Sequence, residues 1–313
     1  MCTAIRFESG DVYFGRNLDL ERGYGEKVVI TPRNYKFKMR ETGILRTKYG
    51  IIGMAAVVDG YPLYFEGTNE LGLSMAGLNF PGNAYYGEHM AGEDNVAPFE
   101  LIPWILGQCA DVDDAREMLK KLHLVRVNFC ESLPATPLHW MISDVQSSVV
   151  VESLEDGLKV WDNPFDVLTN NPPFEYHRIN MSNYMGLHTG PSGMGFCGEL
   201  PMRNYSLGMG ALGLPGDFSS VSRFVRACFV KENACTMGDE ESSVNQFFHI
   251  LDSVAMPKGC VWTEGGFEYT RYGSCCNVKR GIYYYKTYEN YKIKSVGMRE
   301  EDMNRDNLKI VEI

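Results

Sequence analysis

Apolar and polar positions near the start of the chain alternate in short runs, which is typical of strands. Residues 2–7 alternate weakly, a polar turn follows, and residues 12–18 form a second run. This pattern predicts a hairpin that brings Cys2 close to Arg16 and Asp19. Further strands are predicted at residues 28–31, 50–58, 63–67 and 71–78, each bounded by Gly, Asn or Asp.

Helical spacing of apolar residues follows in the middle of the chain. Residues 98–109 carry Phe99, Ile102 and Leu106 on one face, although Pro103 is expected to kink or shorten that helix. Further helices are predicted at residues 112–122 with Asp111 as cap, after the prolines at 172–173, from Ser219 or Ser220 to 229, and at 242–254. Later strands are predicted at residues 139–143, 148–152, 160–162, 167–169, 267–272 and 281–288.

The order of these elements favours sheets with segregated helices. Strands and helices come in blocks, without repeated β-α-β units and without a G-x-G-x-x-G motif after a strand. The Gly- and Met-rich residues 190–215 are predicted to form a long loop or lid. There is no low-complexity linker and no internal repeat. The sequence therefore predicts an α+β layered fold of antiparallel sheets, in a single domain over residues 1–313.

Composition and charge limit the kinds of partner that this chain is expected to bind. A hydrophobic content of 44% in 313 residues is ample for a large core, and the formal net charge is −10. No Lys/Arg-rich run occurs, so no nucleic acid is expected, and an anionic substrate would need local groups to hold it. The N terminus lacks the pattern of a signal peptide, and the longest apolar run, residues 51–58, is too short to cross a bilayer. No membrane partner is expected.

Cysteine and histidine usage points to a reducing compartment and to no metal. The nine cysteines are scattered and form no C-x-x-C pair, and the six histidines show no ligand spacing. Neither a disulfide framework nor a metal site is expected, and most cysteines are interpreted as small buried residues. The expected localisation is cytoplasmic.

Cys2 is the residue of this chain whose chemistry most favours catalysis. If Met1 is removed, Cys2 carries a thiol and a free α-amine, which is a nucleophile with its own general base. Both groups titrate near working pH, at roughly 8.5 for the thiol and 8 for the amine. A small residue that begins a strand is the plainer interpretation of Cys2 taken alone.

Five other polar residues are candidates, and each also has a structural interpretation. Arg16 would stabilise a thiolate and Asp19 would hold an ammonium, or the two form a surface ion pair. Asn79 and Asn170 could donate to an oxyanion, or they are turn residues beside Pro and Gly. Arg223 opens a helix, where the helix dipole does not favour it. It either has a partner in a site or lies on an exposed face.

Eight segments, each weak alone, occur in this chain in one order. Together they closely resemble the choloylglycine hydrolase family, which comprises bile salt hydrolases and penicillin V acylases. The resemblance runs from residue 2 to about residue 300. The segments are MCTA at 1–4, FGRNLD at 14–19, AGLNFPG at 76–82, LHWMISD at 138–144, VLTNNP at 167–172, GLPGDF at 213–218, SRF at 222–224 and YYYKTY at 283–288.

The resemblance implies a fold and a mechanism. The fold is the four-layer αββα sandwich of the N-terminal nucleophile hydrolases. The implied reaction is amide hydrolysis without a cofactor: Cys2 attacks the carbonyl, its α-amine acts as base, and water releases the acid from a thioester. Removal of Met1 is expected to precede this chemistry. The implied catalytic positions are Cys2, Arg16, Asp19, Asn79, Asn170 and Arg223, with Asn170 and the Asn79 backbone at the oxyanion.

Position 79 separates the branches of the family, because bile salt hydrolases have Asn there and many penicillin V acylases have Tyr. Asn79 therefore favours conjugated bile salts as substrate. The resemblance implies six apolar wall positions for a steroid pocket, although such residues are equally expected in any core. These positions are Leu18, Val58, Phe65, Phe129, Leu133 and Leu138.

Two other functions stay open at this point. One is a penicillin V acylase or another N-acyl amide acylase with the same machinery, and the other is a non-catalytic bile-acid-binding protein. The presence of all six implied catalytic residues together argues against the non-catalytic binding protein. The resemblance also implies a homotetramer, while glycine and taurine conjugates are not distinguished.

Overall fold

Two large antiparallel sheets form the centre of this computed structural model, which describes residues 1–193, 198 and 200–313. The strands are β1 (Cys2–Ser9), β2 (Asp11–Leu20), β3 (Glu26–Thr31), β4 (Lys36–Met39), β5 (Gly43–Arg46), β6 (Ile51–Val58), β7 (Tyr61–Asn69), β8 (Ser74–Asn79), β9 (Asp94–Val96), β10 (Leu122–Leu124), β11 (Leu138–Ser143), β12 (Ser148–Leu154), β13 (Gly157–Asp162), β14 (Val167–Leu168), β15 (Val261–Thr263), β16 (Gly266–Asn277), β17 (Ile282–Thr287), β18 (Asn290–Gly297) and β19 (Lys309–Glu312). The helices are α1 (Leu101–Leu106), α2 (Val112–Leu119), α3 (Phe174–Asn180), α4 (Ser220–Asn233) and α5 (Glu240–Asp252).

The N terminus lies in the first sheet, whose order is β14-β1-β2-β16-β17-β18, with β15 paired to β16. The second sheet has the order β13-β12-β11-β8-β7-β6-β3-β19. Two small two-stranded sheets, β9 with β10 and β4 with β5, lie apart from them. Since β1 has a partner strand on each side, Cys2 begins an interior strand of its sheet.

Four layers arise because strand residues point alternately to opposite faces. In β11, Met141 packs in the core that also holds Cys2, whereas its neighbours Trp140 and Ile142 pack in the other core with α1 residues such as Leu106. Helices α4 and α5 pack on the first sheet, and α1 packs on the second. The αββα sandwich is therefore confirmed.

The structure corrects some predicted boundaries. The helix expected at residues 98–109 is a 3-10 turn, Pro98–Glu100, followed by the six residues of α1, which contain Pro103. Pro103 has no amide hydrogen to donate, in keeping with a short helix. The helix expected at residues 112–122 ends at Leu119 because β10 begins at Leu122.

The predicted loop or lid at residues 190–215 has one short 3-10 turn, Met209–Ala211, among its described residues. Residues 194–197 and 199, which include Cys197, lie outside the described residues. The eight other cysteines are free thiols. Within the described ranges, no helix has both the length and the apolar character needed to cross a membrane.

Candidate active site

Cys2 is buried at the start of β1, and side chains hold both of its main-chain groups. Its amide nitrogen donates to Asn170 Oδ1 at 2.8 Å, and its carbonyl accepts from Arg223 Nη1 at 2.5 Å. Cys2 lies directly opposite Leu18 of β2 in the strand register. The position of the thiol is thus fixed by a strand pair, an asparagine and an arginine.

Arg16 lies on the same face of the first sheet as Cys2, pointing towards the second sheet. Its guanidinium is fully buried, and Nη1 donates to the carbonyls of Gly77 at 2.5 Å and Phe65 at 3.1 Å. The remaining nitrogen, Nη2, has no hydrogen-bond partner. Burial opposes the charge, but the acidic groups of Cys2, Tyr272 and Glu66 raise the pKa of Arg16 above its ordinary value. Arg16 is therefore a permanent buried cation beside the thiol.

Asp19 is also fully buried, on the opposite face of β2. Its Oδ1 accepts from Thr270 Oγ1 at 2.6 Å, while Oδ2 lies 4.0 Å from Arg223 Nη1 and has no hydrogen-bond partner. The main chain of Asp19 exchanges two hydrogen bonds with Met1, of 2.8 and 3.0 Å. Asp19 thus holds the residue that precedes Cys2. Because Arg16 and Asp19 are both buried, a surface ion pair does not explain them.

Asn170 links the other members of the cluster. It directly follows Thr169 at the end of β14, and its Oδ1 accepts from Arg223 Nη2 at 2.7 Å as well as from Cys2. Its Nδ2 donates to the main-chain carbonyl of Asn79 at 2.7 Å, at the end of β8. Asn170 thus presents an amide donor beside Cys2, where an oxyanion would form.

Arg223 reaches the site from the first turn of α4. The guanidinium is fully buried and also donates to Thr3 Oγ1 at 2.7 Å and Phe218 O at 3.0 Å. Burial lowers the pKa of Arg223, and the neighbouring Asp19 and Cys2 act in the opposite direction. An exposed helix face, the alternative interpretation of Arg223, is therefore wrong.

Met1 occupies one end of a cleft of about 440 Å³. Its ammonium pairs with Glu268, and burial lowers the pKa of this amine below its ordinary value, against the charges of Cys2 and Asp19. Removal of Met1 would leave the amine of Cys2 at this end of the cleft. The lining consists of Met1, Leu20, Glu21, Asn79, Pro81, Asn170, Asn171, Ser220, Thr263, Glu264, Gly265 and Glu268.

Three of the six predicted wall positions lie beside the cluster. Leu18 pairs with Cys2, and Leu138 pairs with Asn79 across β11 and β8. Phe65 contributes the carbonyl that accepts from Arg16. The side chains of Leu18 and Phe65 pack in the core that holds Cys2, whereas that of Leu138 packs in the other core. The role of all three in binding stays a prediction.

The other three wall positions cluster around Tyr61. The ring of Phe129 lies 5.5 Å from that of Tyr61 between centroids, and Val58 pairs with Tyr61 across the turn between β6 and β7. Phe129 N donates to the carbonyl of Leu133 at 3.0 Å. The structure therefore divides the predicted wall into two groups, and its role as one pocket stays a prediction.

Several residues at the site were not predicted from the sequence. Thr270 faces Asp19 across β2 and β16, and Glu66 accepts from Tyr272 and Tyr283 at 2.7 and 2.5 Å beside Arg16. An acid within the apolar β7 sequence was the available signal for Glu66. Nothing local marks Thr270, because strand register alone brings it to Asp19.

The fold and the site define a class of protein: an αββα sandwich in which a buried cysteine begins an interior strand is the architecture of an N-terminal nucleophile hydrolase. Residues 2–311 match the model of the linear amide C–N hydrolases, choloylglycine hydrolase family. The chain belongs to this family and is an amide C–N hydrolase.

Relatives and solved structures agree with this assignment. The chain is 50% identical to a bile salt hydrolase/transferase of Lactiplantibacillus plantarum, over 98% of this chain and 95% of the relative. It is 41% identical to a conjugated bile acid hydrolase of Lactobacillus gasseri, over 98% and 99%. The crystal structure of the C2A conjugated bile acid hydrolase of Clostridium perfringens superposes with a TM-score of 0.93 at 36% identity, covering 100% and 97%. A penicillin V acylase of Agrobacterium tumefaciens, with a TM-score of 0.80, 19% identity and coverage of 99% and 91%, shares the fold.

Proposed function

We propose that this chain hydrolyses the amide bond of glycine- and taurine-conjugated bile salts, which yields the free bile acid and the amino acid. The observation that carries the proposal is the buried cluster in which Asn170 and Arg223 hold the main chain of Cys2. Relatives at 50% and 41% identity bear the names of bile salt and conjugated bile acid hydrolases.

The first chemical step requires a free amine at Cys2. Once Met1 is removed, the nitrogen that donates to Asn170 Oδ1 becomes an α-amine held at the same oxygen. An α-amine titrates near working pH, so it can act as the general base. It accepts the thiol proton as Sγ attacks the amide carbonyl, and Arg16 stabilises the thiolate.

In the second step the tetrahedral intermediate is stabilised and then collapses. Asn170 Nδ2 donates to the oxyanion in place of the Asn79 carbonyl, and the Asn79 main chain borders the same position. The C–N bond breaks as the α-ammonium of Cys2 returns the proton to the leaving amine, and a thioester remains on Sγ. Water, deprotonated by the same amine, then attacks the thioester and releases the acid and the thiol.

Substrate choice rests on the apolar side chains and on position 79. Leu18 and Phe65 lie beside the cluster and suit the steroid body. Leu138, Val58, Phe129 and Leu133 are the other predicted wall positions. Asn79 favours the bile salt branch over penicillin V acylases. The relative from Lactiplantibacillus plantarum is named a bile salt hydrolase/transferase, which favours a second activity, transfer of the acyl group from the thioester to an acceptor other than water.

The proposal also covers the domain organisation, the oligomeric state and the cellular location of the enzyme. We expect one domain over residues 1–313, a cytoplasmic location consistent with eight free thiols, and a homotetramer. Apolar side chains that are almost fully exposed, such as Met185, Tyr205 and Leu207, are candidates for the contact surface. A contiguous apolar patch formed by such side chains would mark an interaction surface.

Release of glycine and taurine from glycocholate and taurocholate, compared with hydrolysis of penicillin V, tests the proposed substrate. The expected result is rapid release from the bile conjugates, slow cleavage of penicillin V, and no release by C2A. Bile acid binding without turnover by correctly processed protein would instead support the non-catalytic alternative. Preferred cleavage of penicillin V would support the acylase.

A further inference from the structure

The segment that carries Asn170 is held from three directions. Asn170 N donates to Ser220 Oγ at 2.8 Å, and Asn170 O accepts from His177 Nε2 at 3.0 Å. The preceding carbonyl, of Thr169, accepts from His139 Nε2 at 3.0 Å. Two buried histidines therefore set the main-chain position of the residue that would donate to the oxyanion.

His139 has acceptors at both ring nitrogens. Nε2 faces the Thr169 carbonyl, which can only accept, so Nε2 carries a hydrogen. Nδ1 lies 3.1 Å from Glu152 Oε1, and neither side chain is exposed to solvent. The imidazole also stacks on Phe80 with 4.1 Å between ring centroids, which fixes the ring plane.

Glu152 is the acceptor of two further N–H groups. The amide of Phe174 donates to Oε1 at 2.9 Å, and the indole of Trp161 donates to Oε2 at 3.2 Å. Donors of this kind stabilise a carboxylate more than a carboxylic acid. His139 and Glu152 therefore form a buried hydrogen-bonded pair that presents the Nε2 hydrogen of His139 to the Thr169 carbonyl.

We propose that the hydrogen-bonded pair of His139 and Glu152 positions Asn170 by clamping the Thr169 carbonyl. This inference rests on the proposed role of Asn170 at the oxyanion. Glu152 also accepts from the amide of Phe174 at the start of α3, and His177 of α3 donates to the Asn170 carbonyl. The pair thus acts on the main-chain carbonyls of both Thr169 and Asn170.

Two variants form a matched pair, Glu152→Gln and the double variant Glu152→Gln/His139→Phe. Both variants carry a Gln at position 152, whose single amide oxygen cannot accept from every N–H group that the Glu152 carboxylate holds. In E152Q, Nε2 of His139 still faces the Thr169 carbonyl. In the double variant the ring still stacks on Phe80, but the donor to Thr169 is lost. Because both proteins share the Gln at position 152, the main difference between them is the clamp on Thr169.

Steady-state kinetics on a bile conjugate that the wild type cleaves gives the first readout. We expect a modest loss of kcat in E152Q, where His139 still holds Thr169. We expect kcat of the double variant to be about ten- to a hundredfold below that of E152Q with KM nearly unchanged, since misplacement by about 1 Å can cost a hundredfold. A purely structural role would lower the melting temperature and leave kcat per folded enzyme unchanged. Equal kcat in two folded variants overturns the proposal.

A second readout needs no activity and stands even if the double variant fails to fold. Solid-state NMR of the wild-type enzyme with ¹⁵N-labelled histidine distinguishes ring nitrogens that carry a hydrogen from those that do not. The proposal expects one ring whose Nε2 carries a hydrogen and whose Nδ1 signal shifts in E152Q. A histidine spectrum that E152Q leaves unchanged overturns it. Failure of wild type to cleave bile conjugates would instead count against the proposed function alone.

Discussion

At the scale of single residues, the motif segments identified the polar cluster but not the contacts that hold it. The six candidate positions meet in the structure because β1, β2, β8 and α4 converge with the segment after β14. The hydrogen bond from Thr270 to Asp19 spans 251 residues of sequence. Such a contact depends on strand register and chain topology, which a local pattern does not contain.

His177 gives a residue-scale prediction for stability. Burial lowers its pKa from 6.5 to about 4, so between these pH values the unfolded chain binds a proton that the folded chain does not. The free energy of unfolding therefore falls as the pH is lowered through this window, by about 3 kcal/mol in total. Replacement by Gln keeps a donor for the Asn170 carbonyl and removes this titration.

Urea unfolding at pH 7 and pH 4.5 checks this expectation. Wild type should lose stability between the two conditions, and His177→Gln should lose distinctly less. A similar loss in both proteins would show that His177 is not the group responsible.

At the scale of elements, alternating runs predicted most interior strands and the capped helices. Asp111 caps α2 and Ser219 caps α4, as expected. Strands β18 and β19 were not predicted. Most of their side chains are exposed, so burial imposes little apolar alternation on their sequences. The hairpin of β4 and β5 lies outside both large sheets and was also missed. β5 is mostly exposed, whereas β4 alternates, with Phe37 and Met39 buried, but spans only four residues.

Gly15 gives an element-scale prediction. A Cβ at this position would lie 2.0 Å from the carbonyl oxygen of Ser274 on β16, so β2 and β16 would have to separate. Since β2 carries Arg16 and Asp19, Gly15→Ala should destabilise the fold by about 3 kcal/mol and abolish most activity.

Urea unfolding and the hydrolysis assay measure both effects, with Gly216→Ala as the matched control. A Cβ on Gly216 meets no atom within 4 Å, so the control should behave like wild type. Full activity and stability of Gly15→Ala would contradict the tight approach of β2 to β16.

At the scale of the whole molecule, two sheets enclose the cluster, and some apolar side chains lie on the surface. Leu207 is 98% and Met185 84% exposed. The assembly prediction is a mass near four times 35.3 kDa by light scattering for the wild type. Leu207→Lys should lower that mass.

Ile44→Lys is the control, because Ile44 is an exposed apolar residue on the separate β4–β5 hairpin. It should leave the mass unchanged. A wild-type mass of 35.3 kDa would rule out the tetramer without affecting the proposed chemistry.

The central claim is that the thiol of Cys2, freed from Met1, forms a thioester with the bile acid. Intact-mass spectrometry of enzyme quenched in acid within milliseconds of mixing with glycocholate tests it most directly. We predict protein that lacks Met1 and carries one cholyl group, mapped to the N-terminal peptide and absent from C2A. Glycine release by C2A, or by protein that retains Met1, would contradict the account.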